Sequence, residues 1–459
     1  GASAFAMNYT YSGGDLIKIV KPRGNRIDFT VNGNGQVTER RQKETNTGSS
    51  GASDIVESWA YTSNFVTSYT DPRGYTTTYT RDAAGNVTAI NYPTVTSPTT
   101  QSSVARSFTY NARGQKTQAT DEEGKIVEYQ YYASGSNKYG LLWKVKVDPS
   151  GLNLITEYLY NGQAQLQSIK DPLNKQTGYV FDAVGRKTKV TTPTGIETEW
   201  HYDGNGRVTS MDVENLDQAG ARVSGNEWLT TSYTYNSHGS MLTMTEEIDG
   251  STTRTTSFDY DDNQNRIRVT KPEGNKEKWT YNSRNRVATH VRGETSGIAS
   301  TLTYTYDDNG NLTVLEDGRG NDTVHTYDLF DRRTKTTNAL GHYEETDYDK
   351  GGNVTEVRRY DATPTPDVLL QRSTRSFDQR GRHWQTSDLH KDPSTTYSDA
   401  VTTIERFKTG HVRYVTDPRS KVTETQYDNA WRITKTIDAM GNEAANTYDG
   451  ASRRTAWSL

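Results

Sequence analysis

There is no cysteine in the 459 residues, which excludes disulfides and thiolate metal sites. Secreted bacterial repeat proteins and cytosolic proteins both fit that absence. No run of about 18 apolar residues occurs, so no transmembrane helix is expected. Only 31% of residues are hydrophobic and mean hydropathy is −0.91, so a large apolar core is excluded as well. No charge of one sign dominates: 53 basic residues stand against 57 acidic ones, for a net charge of −4. Nothing in that balance points to nucleic acid or to an anionic membrane as a partner. The chain opens Gly1-Ala2-Ser3 without an initiator Met and without a signal peptide, and so reads as a processed or excised piece of something longer. Catalytic fingerprints are missing too: no GxSxG elbow, P-loop, dinucleotide fingerprint, HExxH or CxxC spacing is found.

What is present is Tyr, Thr and Gly in fixed order. Between Tyr304 and Asp349 the string Tyr-x-Tyr-Asp-x-x-Gly-Asn-Leu-Thr is followed by Asp317-Gly318-Arg319-Gly320 and then by Thr326-Tyr327-Asp328. From Tyr306 to Tyr327 is 21 residues, and from Tyr327 to Tyr348 is 21 again. A constant period of that size marks a repeat array, which grows by stacking units and not by adding separate cores. The second aromatic of the unit can be followed from Tyr11 to Tyr448 through 19 copies, with Val31 and Arg81 as replacements, Tyr61 as the weakest match and Phe407 in the seventeenth copy. Ten of the 18 intervals are 20 or 21 residues, and the others run from 25 to 33.

Each unit reads as two strands. Tyr304 and Tyr306 are two apart and share a face, with Thr303, Thr305 and Asp307 on the other. Asp-x-x-Gly or Asn-x-x-Gly then turns the chain, Gly supplying positive φ. A second turn, often Asp-Pro-x-Gly as at Asp71–Gly74 and Asp148–Gly151, leads into the next unit. No segment has helical periodicity with caps. The expectation is an all-β hairpin array of about 19 units over residues 1–459, read as a single array. Most of the long intervals carry their extra residues at the second turn, as at Gln42–Glu57, Tyr92–Ser107, Glu214–Thr230, Gly293–Ser300, Asp361–Thr374 and Asp388–Thr402; Ala133–Tyr139 lengthens the first turn instead. Alternating strand direction puts one turn class on one edge, so these loops are expected along a single edge, where binding is sometimes found.

The pattern Tyr304-x-Tyr306-Asp307-x-x-Gly310-Asn311-Leu312-Thr313, repeated at Tyr202-Asp203-x-x-Gly206-Arg207-Val208-Thr209, resembles the YD repeat of the RHS family, which includes bacterial Rhs polymorphic toxins, the shell subunits of Tc toxins, and teneurins. The resemblance covers almost the whole chain. It implies a β-sheet winding as a spiral into a hollow shell, around a toxin domain in the toxin members and within an adhesion ectodomain in teneurins. Toxin members close their repeats with an Asp-Pro-x-Gly-Leu-type cleavage site. Asp148-Pro149-Ser150-Gly151-Leu152 has those letters but stands amid the repeats, and is expected to be a turn. Two strands per unit give about 38 strands and, at roughly 4.8 Å each, a contour of about 180 Å. That length would wrap about once around a cylinder roughly 55 Å across, as a shell segment or as a small open or tightly wound version.

The eight histidines, His201, His238, His290, His325, His342, His383, His390 and His411, are scattered among the units, and structural roles are expected. Asp259-x-Asp261-x-Asn263 lacks the Gly and Glu of a calcium loop and reads as a turn. Asn-x-Thr at Asn86, Asn311 and Asn353 follows from the repeat itself. Trp200 and Trp279 replace the first Tyr of their units and should join an aromatic ladder. No catalytic, cofactor or metal residue is expected. The reading is a non-enzymatic structural scaffold, secreted or at the cell surface by bacterial export, whose partners are an enclosed cargo or toxin domain. A carbohydrate-binding or cell-adhesion module, with a surface glycan or protein as partner, is the alternative.

Overall fold

The computed structural model describes residues 6–43, 51–295, 297–363, 365–391 and 397–458, with the side chains of 390, 391, 397 and 398 left aside. These residues form 38 strands and no helix, from β1 (Asn8–Ser12) to β38 (Arg454–Ser458). Every strand pairs antiparallel with its neighbours in sequence, giving one meandering sheet. Nineteen units of two strands account for all of it.

The unit is built by its turns. Asp307 N–H donates to the Asn311 carbonyl and accepts at its own carbonyl from Gly310 N–H, both at 2.9 Å. Its carboxylate closes the loop from inside: Oδ1 accepts from the amides of Gly310 and Asn311 at 2.7 and 2.8 Å, and Oδ2 from the Asn311 side chain at 2.9 Å. Gly310 sits at φ 90°, a left-handed conformation that costs a side-chain-bearing residue free energy. Just inside the turn the register slips by one: Tyr306 faces Leu312 while Thr305 faces Val314, leaving Thr313 as the extra residue of a β-bulge.

That slip explains the repeated tyrosine. The ladder to the following strand begins at Val314, two residues beyond Leu312. The Tyr327 hydroxyl of the next unit donates to the Leu312 carbonyl at 2.8 Å. Tyr61, Tyr110, Tyr131, Tyr202, Tyr235, Tyr260, Tyr281, Tyr306, Tyr348 and Tyr448 make the same bond, at 2.6 to 2.9 Å, to the residue paired with the second-aromatic position of the unit before. The tyrosine therefore ties each unit to its predecessor.

One sheet face carries a ladder of large side chains in cross-strand pairs, among them Tyr79–Ile90, Tyr179–Val190, Trp200–Met211, Phe258–Val269 and Tyr304–Leu315. Trp200 and Trp279 stand in it, with Trp279 stacked on His290 at 4.7 Å. The other face is Thr-rich and charged, as in Thr280–Thr289 and Lys189–Glu199. Among the described residues only Ile55, Val95, Val104 and Val269 are buried hydrophobics, so cross-strand pairs and ladder hydrogen bonds replace a core.

Three expectations are corrected. Phe407 is not the second aromatic of its unit: Arg406 pairs with Val412 at the bulge, and Phe407 makes the two backbone bonds to His411 and Gly410 that Asp307 makes in its turn. Aromatic character points to Phe407, but register puts Arg406 at that position. The stretches Asp361–Thr374 and Asp388–Thr402 are not mainly loop, because they lengthen the strands Val354–Asp361, Val368–Phe377, His383–Lys391 and Tyr397–Arg406 to between 8 and 10 residues. The sheet also wraps more than once. The turn after β2 (Asp15–Val20) touches the turn after β27 (Asp322–Tyr327), 25 strands on, and the turn after β14 (Leu166–Lys170) touches the one after β37 (Glu443–Tyr448), 23 strands on. A turn of the spiral is thus roughly 115 Å of contour, or somewhat under 40 Å across at a strand spacing of about 4.8 Å. Of the forms expected, the sheet takes the tightly wound one.

Candidate functional site: the seam between turns of the spiral

Where the second winding overlies the first, second-turn loops of the first winding meet Asp-capped turns of the second. No strands other than sequence neighbours pair among the described residues; the seam is made by loops of the first winding on turns of the second and on the end of the strand Tyr397–Arg406.

At its start Lys21 Nζ pairs with Asp331 at 2.7 Å and Arg23 Nη1 with Asp307 at 3.0 Å. Arg23 N–H donates to Asn309 Oδ1 at 2.9 Å, and Asn309 Nδ2 donates to Asn25 Oδ1 at 2.9 Å. Burial alone would raise the Asp331 pKa. Hydrogen bonds from Asn309, Lys21 and Asn311 outweigh that and hold it below the usual carboxylate value. Further along, Arg73 Nη1 donates to the Asp378 carbonyl at 2.7 Å.

The insertion at residues 92–104 seats on the second winding. Thr96 N–H donates to Gln379 Oε1 at 2.9 Å, Thr99 Oγ1 to Glu405 at 2.9 Å, and Arg382 Nη2 to Gln101 Oε1 at 3.2 Å. Val95 and Val104 are each 1% exposed beneath it. This insertion does bind something, and that something is its own chain.

Glu122 is the most deeply sunk charge of the seam. Its side chain is 2% exposed and bridges Arg106 and Arg380, both at 3.1 Å. Arg380 lies over the Tyr92 ring at 4.1 Å, and burial pulls its pKa down. Next comes Trp431, whose Nε1 donates to Asp121 at 2.7 Å and whose ring lies 3.4 Å from Lys125 Nζ on one side. His411 stacks on the same ring at 4.1 Å with an interplanar angle of 3°. Burial lowers the pKa of both Lys125 and His411.

Trp431 and Asp331 share a backbone anomaly. Each occupies the left-handed turn position filled by Gly310 in the reference unit, at φ 60° and 63°. A bulky side chain rarely adopts that conformation without compensation. Here each makes a contact with the other winding. Ala164, Gln264, Asn285 and Ser452 hold the same position at positive φ, so a non-Gly residue there does not by itself mark the seam; the sequence signal is narrower, a bulky Trp or a charged Asp at that position.

The residues singled out in the sequence fall as follows. Asp148–Leu152 is a turn: the Asp148 carbonyl accepts from Gly151 N–H at 3.1 Å, and its carboxylate accepts from Asn429 of the second winding at 3.2 Å. Asp261 caps its turn against Asn265, and Asp259 faces Arg268. His201 bonds Asp212 and is exposed, while His238 is exposed in a turn. His290 pairs with Glu277, His325 with Thr336, His342 with Asp361 and His383 with Thr386. The His390 side chain lies outside the described residues. Among the described residues no group of three or more His, Asp or Glu side chains is placed to hold a metal ion. The arrangement holds one winding on another.

The family model of the RHS Repeat matches residues 62–94, 181–215 and 306–343. No curated protein matches the sequence. Among solved structures, the crystal structure of TcdB2-TccC3 aligns with 99% of this chain at 11% identity and TM-score 0.49, and a Photorhabdus luminescens Tc holotoxin pore with 98% at 12% identity and TM-score 0.31. The chain spans about a third of the length of those structures, 31% and 30% respectively.

Proposed function

From the RHS repeats that this chain carries, we infer that it is a structural scaffold: a single array whose spiral sheet forms all or part of a wall enclosing cargo such as a toxin domain. The observation that carries the reading is the seam. A sheet that served only as an extended surface would have no use for Glu122 buried between two arginines, or for a tryptophan held at positive φ to reach Asp121. Closure of winding on winding is what an enclosing wall requires.

In this reading the chain performs no catalysis itself. Its parent is exported from a bacterium, and the partner is the enclosed segment. The test is an electron-microscopy map of the chain together with limited proteolysis of the parent protein. A hollow wall and a protected internal segment are expected. A solid particle, or a parent whose other segments are all cut at once, overturns it.

One observation favours a carbohydrate-binding or adhesive role in addition. Tyr132, Tyr139 and Trp143 gather around the Ala133–Tyr139 insertion in an open pocket of about 510 Å³, beside Asn111 and Gln115. Trp143 and Tyr139 are 36% and 47% exposed, suited to stacking on sugar rings. A glycan array that reads no higher than background on the intact chain removes this second role.

A further inference from the structure

Beyond His325 the ladder loses its rings: Thr346, Arg375, Ile404, Thr425 and Asn446 hold the ring position, and at the first two a space is left. At the position held by Tyr304, and by Trp200, Phe258 and Trp279 in other units, the next units but one carry Thr346 and Arg375. Their cross-strand partners are Val357 and Thr386. With two large rings missing, an open pocket of about 510 Å³ lies on the ladder face. That is within the range of small-ligand sites, roughly 300 to 1,000 Å³.

Three rows of side chains define it. One is a rail in which Arg359 donates to Glu344 at 2.8 Å and to Gln371 at 3.0 Å. The floor is short: Thr346, Val357 and Ser373 pair across the strands, and Asp388 faces Ser373. The far wall holds Arg333 and Arg375. Each of these two arginines is exposed, and among the described residues neither forms an ion pair with an acid, although Glu344 and Asp388 line the same pocket. Their charge reaches the neighbouring histidines. Burial, and after it Arg333, lowers the pKa of His325; burial, opposed by a hydrogen bond to Gln385, lowers that of His383, with Arg375 adding to the fall.

We propose that this gap binds an acidic oligosaccharide, with a carboxylate on the Arg333 and Arg375 forks and ring hydroxyls on Asp388, Ser373 and Thr346. Two guanidinium groups with no carboxylate partner among the described residues suit a planar oxyanion, which an arginine grips with paired donors. An oxyanion alone would leave Asp388 facing like charge. Vicinal hydroxyls, which donate to a carboxylate and accept from Ser and Thr, use the whole lining. The proposal does not depend on whether the wall encloses anything.

The experiment is calorimetric titration of the full chain with oligogalacturonate, its methyl-esterified form, and a poly-glutamate peptide of matched charge. Binding of oligogalacturonate is expected, with at least a tenfold weaker response for the ester and for poly-glutamate. The double variant Arg333→Gln, Arg375→Gln should lose tenfold or more. Arg254→Gln, Arg319→Gln, which removes two exposed charges elsewhere, should bind as the parent does. Thr346→Tyr, which refills the ladder, should abolish binding while leaving the chain folded. No binding, equal binding by poly-glutamate, or an Arg333/Arg375 variant that binds as well as the parent overturns the proposal.

Discussion

The hydroxyl of Tyr327 lies 2.8 Å from the carbonyl oxygen of Leu312, fifteen residues earlier and in the preceding unit. Because a bulge shifts the register beside Leu312, the paired strand never reaches that carbonyl, and the phenol takes its place. Tyr327→Phe keeps the ring and removes only the donor. It should destabilise the array by about 1 kcal/mol, the net worth of a typical hydrogen bond. The denaturant midpoint reads this, with the slope unchanged. A midpoint equal to the parent's would make the tyrosine a packing residue only.

Glu122 gives a larger effect. Glu122→Ala leaves Arg380 buried at the seam without its counter-charge, and breaking a buried pair from one side costs roughly 3–5 kcal/mol. A loss below about 1 kcal/mol, the range of surface pairs, would contradict the burial of this site.

Trp431→Gly restores the residue type that the turn position ordinarily holds. Backbone strain at φ 60° is relieved, yet the contacts to Asp121, Lys125 and His411 go with the indole. Hydrogen exchange at residues 121–125 and 408–432 should speed up at least tenfold, while residues 181–210, away from the seam contacts above, keep their rates. Uniform acceleration over the whole chain would mean that the residue supports the sheet and not the seam.

How far was this legible beforehand? The strand count was, because Tyr306-Asp307 and Gly310 recur in register and each copy supplies two strands and two turns. The meaning of the tyrosine was half legible: two-residue spacing placed Tyr304 and Tyr306 on one face, but the bulge that frees a carbonyl leaves no mark in composition. The seam was not legible. Its partners stand about 300 residues apart, and Glu122 and Asn309 look like ordinary turn residues. Winding follows from sheet curvature, which period alone does not encode, and the sheet winds more tightly than a single wrap of its contour. Trp431 and Asp331 stand where Gly belongs, but so do Ala164, Gln264, Asn285 and Ser452, so that trace alone does not single out the seam.

Acid should loosen the chain in two stages. His325, His383 and His411 have pKa values lowered chiefly by burial, so they are neutral when folded and protonated when unfolded below about pH 6.5. Their contribution is complete above that pH and is lost as pH falls through their folded values. Asp331, also lowered, keeps its contribution above the ordinary carboxylate range and loses it below about pH 4. Melting temperature against pH should begin to fall below about 6.5, the ordinary histidine value, and fall again below about 4. In His411→Gln the first step shrinks. An unchanged first step in that variant excludes His411 as a source.

The absence of cysteine makes the most direct test simple, since a cysteine pair can be introduced and spin-labelled without background. Asp148 and Asn429 touch across the seam at 3.2 Å, although 23 strands separate the turn after β12 (Leu142–Val147) from the turn after β35 (Val422–Tyr427). Along an unwound sheet that is roughly 110 Å at about 4.8 Å per strand. Electron–electron resonance between labels at 148 and 429 should give one narrow distance, no more than about 20 Å once label linkers are allowed for. A broad distribution centred far beyond that would show an open ribbon and contradict the closed seam.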